Sequence, residues 1–245
     1  MEAVYAKKRP VDRTRELRAT NLLENILLFG LPGLGLYAAF HWISPWLAQW
    51  VPLGEARIIA GALVMLGVLA AAWIGFRREG HPLTWVAFAA RFRINRMDGR
   101  TWLWTVGSII AYVVLALLAN NVAPLLFKAI GFTPPIETAE PWGLAALPLV
   151  LTGLALNILG EELWWRGYVL PRQEKQFGRL AWLWHGVMWA FFHFFKWWTI
   201  PALLFVCPVV PFVAQKTRNT IPGMISHLIV NGLGIAIAVI NLLSR

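Results

Sequence analysis

Two carboxylates and a guanidinium follow an apolar run without a break in Gly160-Glu161-Glu162-Leu163-Trp164-Trp165-Arg166-Gly167; the run extends from Leu144 to Leu159. Charges there either mark where a helix leaves an apolar medium or form a working site inside it, and ionisable groups in such a run are costly enough to be functional candidates. On a helix, Glu162 and Arg166 are spaced i,i+4 with the acid first, the favourable order for an ion pair. Glu161 is turned about 100° from Glu162 and has Trp165, not a cation, four residues on. The spacing ties Glu162 to Arg166 and leaves Glu161 for proton transfer. Asn157 lies one turn earlier on the face of Glu161.

Two of the five histidines add to this chemistry. His193 ends the run Trp189-Ala190-Phe191-Phe192-His193, and His227 precedes Asn231 by one turn. His185, Trp189 and His193 share a face by the same spacing, whereas His41 and His81 stand near the ends of apolar runs. A carboxylate beside a histidine can take a proton from water. A second imidazole and a carboxamide can donate to a developing oxyanion. Together they form the equipment for hydrolysing an amide without a covalent intermediate. Taken singly, each group has a plainer reading: Glu162–Arg166 as a structural pair, and a histidine in an apolar helix as one interhelical hydrogen bond. Glu161, His193, His227 and Asn231 come from three separate apolar runs, so only a folded bundle brings them together.

The elements that must position them are membrane helices. The 245 residues are 58% hydrophobic and 14% charged, well below the share of charge in a soluble domain, about 25%. The net charge of +10 does not point to nucleic acid, because the basic residues cluster between apolar runs as the positive-inside rule describes. Fifteen tryptophans suit interfacial anchoring, a single cysteine allows no intrachain disulfide, and the N-terminus is not a cleavable signal peptide. Expected spans run over residues 22–43, 58–76, 102–118 with an extension to 127, 142–159 continuing through the two acids to Leu170, 180–195, 197–213 and 221–243. Pro32 and its neighbouring glycines allow a kink in the first span, residues 83–94 read as an interfacial helix, and Pro171 favours a stop. The loop 131–141, with Glu137 and Glu140, lacks basic excess and reads as external.

The expected fold is an all-α, polytopic bundle of about seven spans forming one integral-membrane domain over 1–245. It comprises a basic cytoplasmic arm (1–21), N-terminal spans (22–127) and a catalytic core (142–243). Alternating basic loops put the N-terminus in the cytoplasm and the C-terminus outside. At about 1.5 Å per residue, Glu161 lies roughly 14 Å from Leu170, His193 roughly 20 Å from Leu180 and His227 roughly 9 Å from Ile221. These depths describe a cavity open to the cytoplasmic half of the membrane.

Glu-Glu-x-x-x-Arg, then an aromatic-x-x-x-His, then His-x-x-x-Asn, each in a separate late span, resembles the CAAX protease and bacteriocin-processing family. This family of glutamate-type intramembrane proteases includes the type II CAAX prenyl endopeptidases. The resemblance covers residues 144–243 and implies that Glu161 activates water with help from His193. It further implies that His227 and Asn231 form the oxyanion site, that Glu162 and Arg166 support the motif, and that no metal or cofactor takes part. The second motif usually begins with Phe; Trp189 stands there. The implied substrate is a membrane-associated peptide or protein tail, with or without a lipid, and the implied place is a bacterial cytoplasmic membrane. A non-catalytic bacteriocin-immunity or membrane interaction protein would need the bundle but not Glu161. A proton-coupled carrier would use the same groups as a relay, but there is no internal repeat. A zinc protease would need a His-Glu-x-x-His pattern that the chain lacks.

Overall fold

The fold comes from a computed structural model that describes residues 17–135 and 142–244. Most of the basic arm (residues 1–16), Glu137 and Glu140 of the expected external loop, and Arg245 lie outside the described residues. Among the described residues every regular element is helical. In chain order these are α1 (Leu22–Ala38), α2 (Ser44–Leu47), α3 (Leu53–Arg78), α4 (Trp85–Arg91), α5 (Gly99–Ala129), α6 (Leu147–Glu161), α7 (Leu170–Phe177), α8 (Ala181–Phe192), α9 (Ile200–Val206), α10 (Val209–Thr217) and α11 (Ile221–Leu243).

Local sequence accounts for the boundaries. Asn21 and Glu24 form a reciprocal cap on α1: the Asn21 side chain accepts from the Glu24 amide at 2.8 Å, and the Glu24 carboxylate accepts from the Asn21 amide at 2.9 Å. Asp98 caps α5, accepting from the Thr101 amide at 2.7 Å. Pro32 sits inside α1, and the chain widens into a π turn only later, over Ala39–Ile43. Pro171 does not stop the helix that carries the acids. It falls in the first turn of α7, where a missing N–H is tolerated, and the run continues to Phe177.

Five helical runs are long and apolar enough to cross a membrane, or six if the pair Phe194–Val206 and Val209–Thr217, bent by 41°, is one span. The expected fourth and fifth spans belong to a single helical run, Leu144–Phe192. It turns at Gly178, whose φ of 56° and ψ of −125° favour glycine, and α8 packs back against α7. Leucines on the long helices face outward: Leu103 is 72% and Leu125 66% exposed. So wide an apolar surface fits a lipid surround, not water. With its apolar runs, it makes this an integral membrane protein.

The core gathers on α1, α3, α8 and the segment after α6, with Phe76, Trp165, Ala190 and Phe192 almost wholly buried. Contact between α3 and α6 is close enough that a methyl group on Gly160 would sit 2.8 Å from the Met65 carbonyl oxygen. Gly160→Ala is therefore expected to push α6 off α3 at the residue before the acids. The expected cost is about 1–3 kcal/mol, as for other overpacked sites, read as a lower melting temperature in detergent.

Candidate active site

The two acids stand where the helix changes pitch. α6 ends at Glu161, and residues Glu162–Val169 form a π-helix before α7 resumes. π segments leave the i→i+4 pattern and cluster at functional sites. Glu161 is 4% exposed and Glu162 fully buried.

Glu161 is not left without partners. Its Oε1 accepts from Asn157 Nδ2 at 2.8 Å, and its Oε2 accepts from Trp189 Nε1 at 2.9 Å. The Asn157 side-chain oxygen Oδ1 in turn accepts from Asn231 Nδ2 at 3.2 Å. One hydrogen-bonded chain thus runs Asn231–Asn157–Glu161–Trp189 through α11, α6 and α8. The i,i+4 spacing anticipates the Asn157 contact. The role of Trp189 was missed: its indole N–H donates to the acid, which the usual Phe at this position has no group to do.

Glu162 faces the other way. Its Oε1 lies 3.3 Å from Arg166 and 3.2 Å from His227 Nδ1. Arg166, fully buried, lies over the Trp189 ring at 3.7 Å, and its charge meets Glu162 without an aligned hydrogen bond. Trp189 therefore touches both acids' machinery, by its N–H on one side and its ring face on the other.

His193 lies at the C-terminus of α8. Its Nδ1 is 2.9 Å from the Trp189 carbonyl oxygen, which can only accept, so Nδ1 bears the proton and Nε2 is left open. The rings of Trp189 and His193 are 5.9 Å apart, and those of Trp189 and His227 are 6.2 Å apart. Both imidazoles lie within electrostatic reach of Glu161 and of one another. Glu161, Glu162, Arg166, His193, His227 and Asn231 thus gather round Trp189 and Asn157. His185 does not join them. It is fully buried, with Nδ1 2.6 Å from Gln173 Oε1 and its ring against Phe29.

A cluster beside α4 pins the π segment from outside. Arg91 donates to the Gly167 carbonyl at 2.8 Å and to Glu79, Arg172 also pairs with Glu79, and both guanidinium groups stack on Tyr168. Thr220, at the start of α11, donates from its hydroxyl to the Phe92 carbonyl at 2.7 Å and from its amide to the Arg93 carbonyl at 2.9 Å. The stretch after α4 thus joins the segment carrying the acids to the helix carrying His227. Burial pushes the Glu79 carboxyl up, but Arg91 and Arg172 outweigh it and hold the carboxyl below its ordinary value of 4.5. A carboxyl depressed in the fold contributes stability above its unfolded value and loses that contribution as pH falls through the folded one. Wild type is expected to lose melting temperature as pH drops below about 4.5. Glu79→Gln should be less stable than wild type at neutral pH and lack that part of the acid-side fall.

Residues 142–233 match a family model described as type II CAAX prenyl endopeptidase Rce1-like. No curated protein and no solved structure matches the chain. The matched stretch begins just before α6 and ends inside α11, so it contains both acids, Arg166, His193, His227 and Asn231. This stretch is therefore similar to the Rce1-like CAAX protease family over the part of the chain that carries the candidate site.

Proposed function

We propose that the protein is a glutamate-type intramembrane endopeptidase that hydrolyses a peptide bond in a membrane-associated peptide or protein tail. The observation that carries this reading is the chain Asn231–Asn157–Glu161–Trp189, with the open Nε2 edge of His193 beside it. Glu161, steered by two donors, takes a proton from a water aligned by His193 Nε2. The hydroxide adds to the peptide carbonyl. His227, when protonated, keeps Nδ1 on Glu162 and presents Nε2–H to the oxyanion, while Asn231 turns its exposed carboxamide to the same oxygen. Collapse breaks the C–N bond, and the proton held on Glu161 passes to the leaving amine. Water is consumed, and one carboxylic acid and one amine are formed, which ionise to a carboxylate and an ammonium.

The finer topology follows the same reading. Counting the run folded at Gly178 as two crossings and the bent pair as one gives seven, with the N-terminus cytoplasmic, the C-terminus outside and the acids open to the side of the basic loops. A bacterial cytoplasmic membrane, with the basic loops on its inner side, is the place this reading assigns. An apolar groove of about 600 Å³ between α3 and α4 ends on Leu163, the residue after the acids, and gives a substrate's hydrocarbon chain a place beside them. Among the described residues no three His, Cys, Asp or Glu side chains are grouped to hold a metal ion. In liposomes, hydrolysis of a prenyl-cysteine peptide with an aliphatic C-terminal tripeptide is expected to continue at its full rate with EDTA or phenanthroline. Loss of activity restored by zinc would overturn the glutamate mechanism in favour of a metal one.

A further inference from the structure

A second cavity, of about 380 Å³, lies between α5 and α9. Tyr112 lies at its inner end, Ala116, Ala119, Asn120 and Ala123 follow along α5, and Trp198 stands at the far end. The helix that forms this wall lies wholly outside residues 142–233.

Its register against the candidate active site is fixed. Asn219, just before α11, is hydrogen-bonded to Asn95, just before α5, so the two helices set out side by side. Further in, the hydroxyls of Ser108 and Ser226 meet at 3.0 Å. One turn beyond Ser108, about 6 Å along the axis, stands Tyr112. One turn beyond Ser226 and His227 stands Asn231. Tyr112 is accordingly level with the end of the Asn231–Asn157–Glu161 chain, and it lies near enough to Glu161 and Arg166 to interact with both charges.

The Tyr112 hydroxyl has no hydrogen-bond partner among the described residues, and neither does the side chain of Asn120. Unpaired polar groups in an apolar helix are costly, whereas an extended peptide brings carbonyls and amides that need partners in such surroundings. The alanines between them let a second backbone come close, and the volume suits a short peptide segment. Meanwhile His227 and Asn231 are engaged by Glu162 and Asn157, so the resting site has few free donors for a substrate carbonyl.

We propose that the cavity between α5 and α9 receives the substrate's peptide chain on one flank of the scissile bond, and that the Tyr112 hydroxyl donates a hydrogen bond to a substrate carbonyl oxygen beside Glu161. The assignment rests on the endopeptidase reading, and its test separates the two. Full-length protein in liposomes is given an internally quenched peptide with a farnesylated cysteine and an aliphatic C-terminal tripeptide. Tyr112→Phe removes only a hydroxyl that bonds none of the described residues. It should keep the melting temperature and KM while kcat falls about 100-fold, the scale for losing one oxyanion donor; a wild-type kcat overturns the assignment of Tyr112.

Occupancy is read without turnover. In a Glu161→Gln, Cys207→Ala background, Ala116→Cys supplies a single thiol in the cavity, with Ala123→Cys as a second position if the first variant folds poorly. The same peptide is expected to slow N-ethylmaleimide labelling of that thiol several-fold. Labelling that is not slowed overturns the cleft, whether or not wild type hydrolyses the peptide. Protection with no hydrolysis by wild type leaves the cleft standing and counts against the endopeptidase reading alone.

Discussion

Replacing Glu161 with glutamine is expected to lower the hydrolysis rate by about 10³-fold while leaving the fold in place. The size follows from its role: losing a positioned general base costs about 10²- to 10⁴-fold, and no other carboxylate occupies the same position. Glu162 is fully buried against Arg166 and His227 and has no route to the water. The small effect on stability follows from the hydrogen bonds. A carboxamide oxygen still accepts from the Trp189 indole. Its NH₂ then faces the Asn157 NH₂, and the conflict is relieved if the Asn157 amide turns over. Asn231, the next group in the chain, is exposed and can turn with it. Steady-state kinetics in liposomes, set beside a thermal melt, separate the two effects. A full rate with Glu161→Gln would place the base elsewhere.

Arg166→Leu is expected to be the most damaging single change to stability, at about 3–5 kcal/mol, the usual cost of removing one partner from a buried ion pair. Arg166 and Glu162 are both 0% exposed, so solvent cannot take over the orphaned carboxylate, and His227 alone remains beside it. Packing is lost as well, because the guanidinium covers the Trp189 ring at 3.7 Å. Lysine should rescue poorly, since its ammonium has neither the planar face nor the fork. Adding Glu162→Gln to Arg166→Leu should recover part of the loss, because no unpaired charge then stays buried. Denaturant or thermal unfolding of the single and double variants checks this; equal stability of both would show that the charge is not what makes the single change costly. Because Trp189 also donates to Glu161, Arg166→Leu should reduce hydrolysis even at temperatures where the variant stays folded.

The apolar runs were legible because lipid leaves so few options. A backbone with no water to bond must be helical, so hydropathy alone located α1, α3, α5 and α11 to within a few residues. The irregular places were not legible. The π segment is held by Trp165 packing against Phe29 and Phe192 and by Arg91 reaching the Gly167 carbonyl from a distant helix, and neither contact has a local signature. Pro171 looked like a stop because a proline's meaning changes with its position in a helix, and the restart at Leu170 is not written in the neighbouring residues. At the candidate site, i,i+4 spacing was enough to link Asn157 to Glu161. It put His185 on one face with Trp189 and His193, but spacing alone did not show that His185 bonds Gln173 outside the site. Trp189 stood out only as the aromatic at the head of the second motif, because its N–H acquires a role only when α8 is laid against α6. Tyr112 carried no signal at all: one phenol in a long apolar helix is unremarkable until Ser108 and Ser226 set its height.

The most direct test is to compare the membrane peptides of cells that carry wild type or Glu161→Gln at matched expression, by mass spectrometry of newly formed termini. A glutamate-activated hydrolysis predicts a cleaved membrane-associated peptide present with wild type and absent with the variant, while both proteins are inserted and folded. The same product from both would contradict it, and protection of the cells against a bacteriocin by both forms alike would point to a bundle that acts by binding and not by cutting.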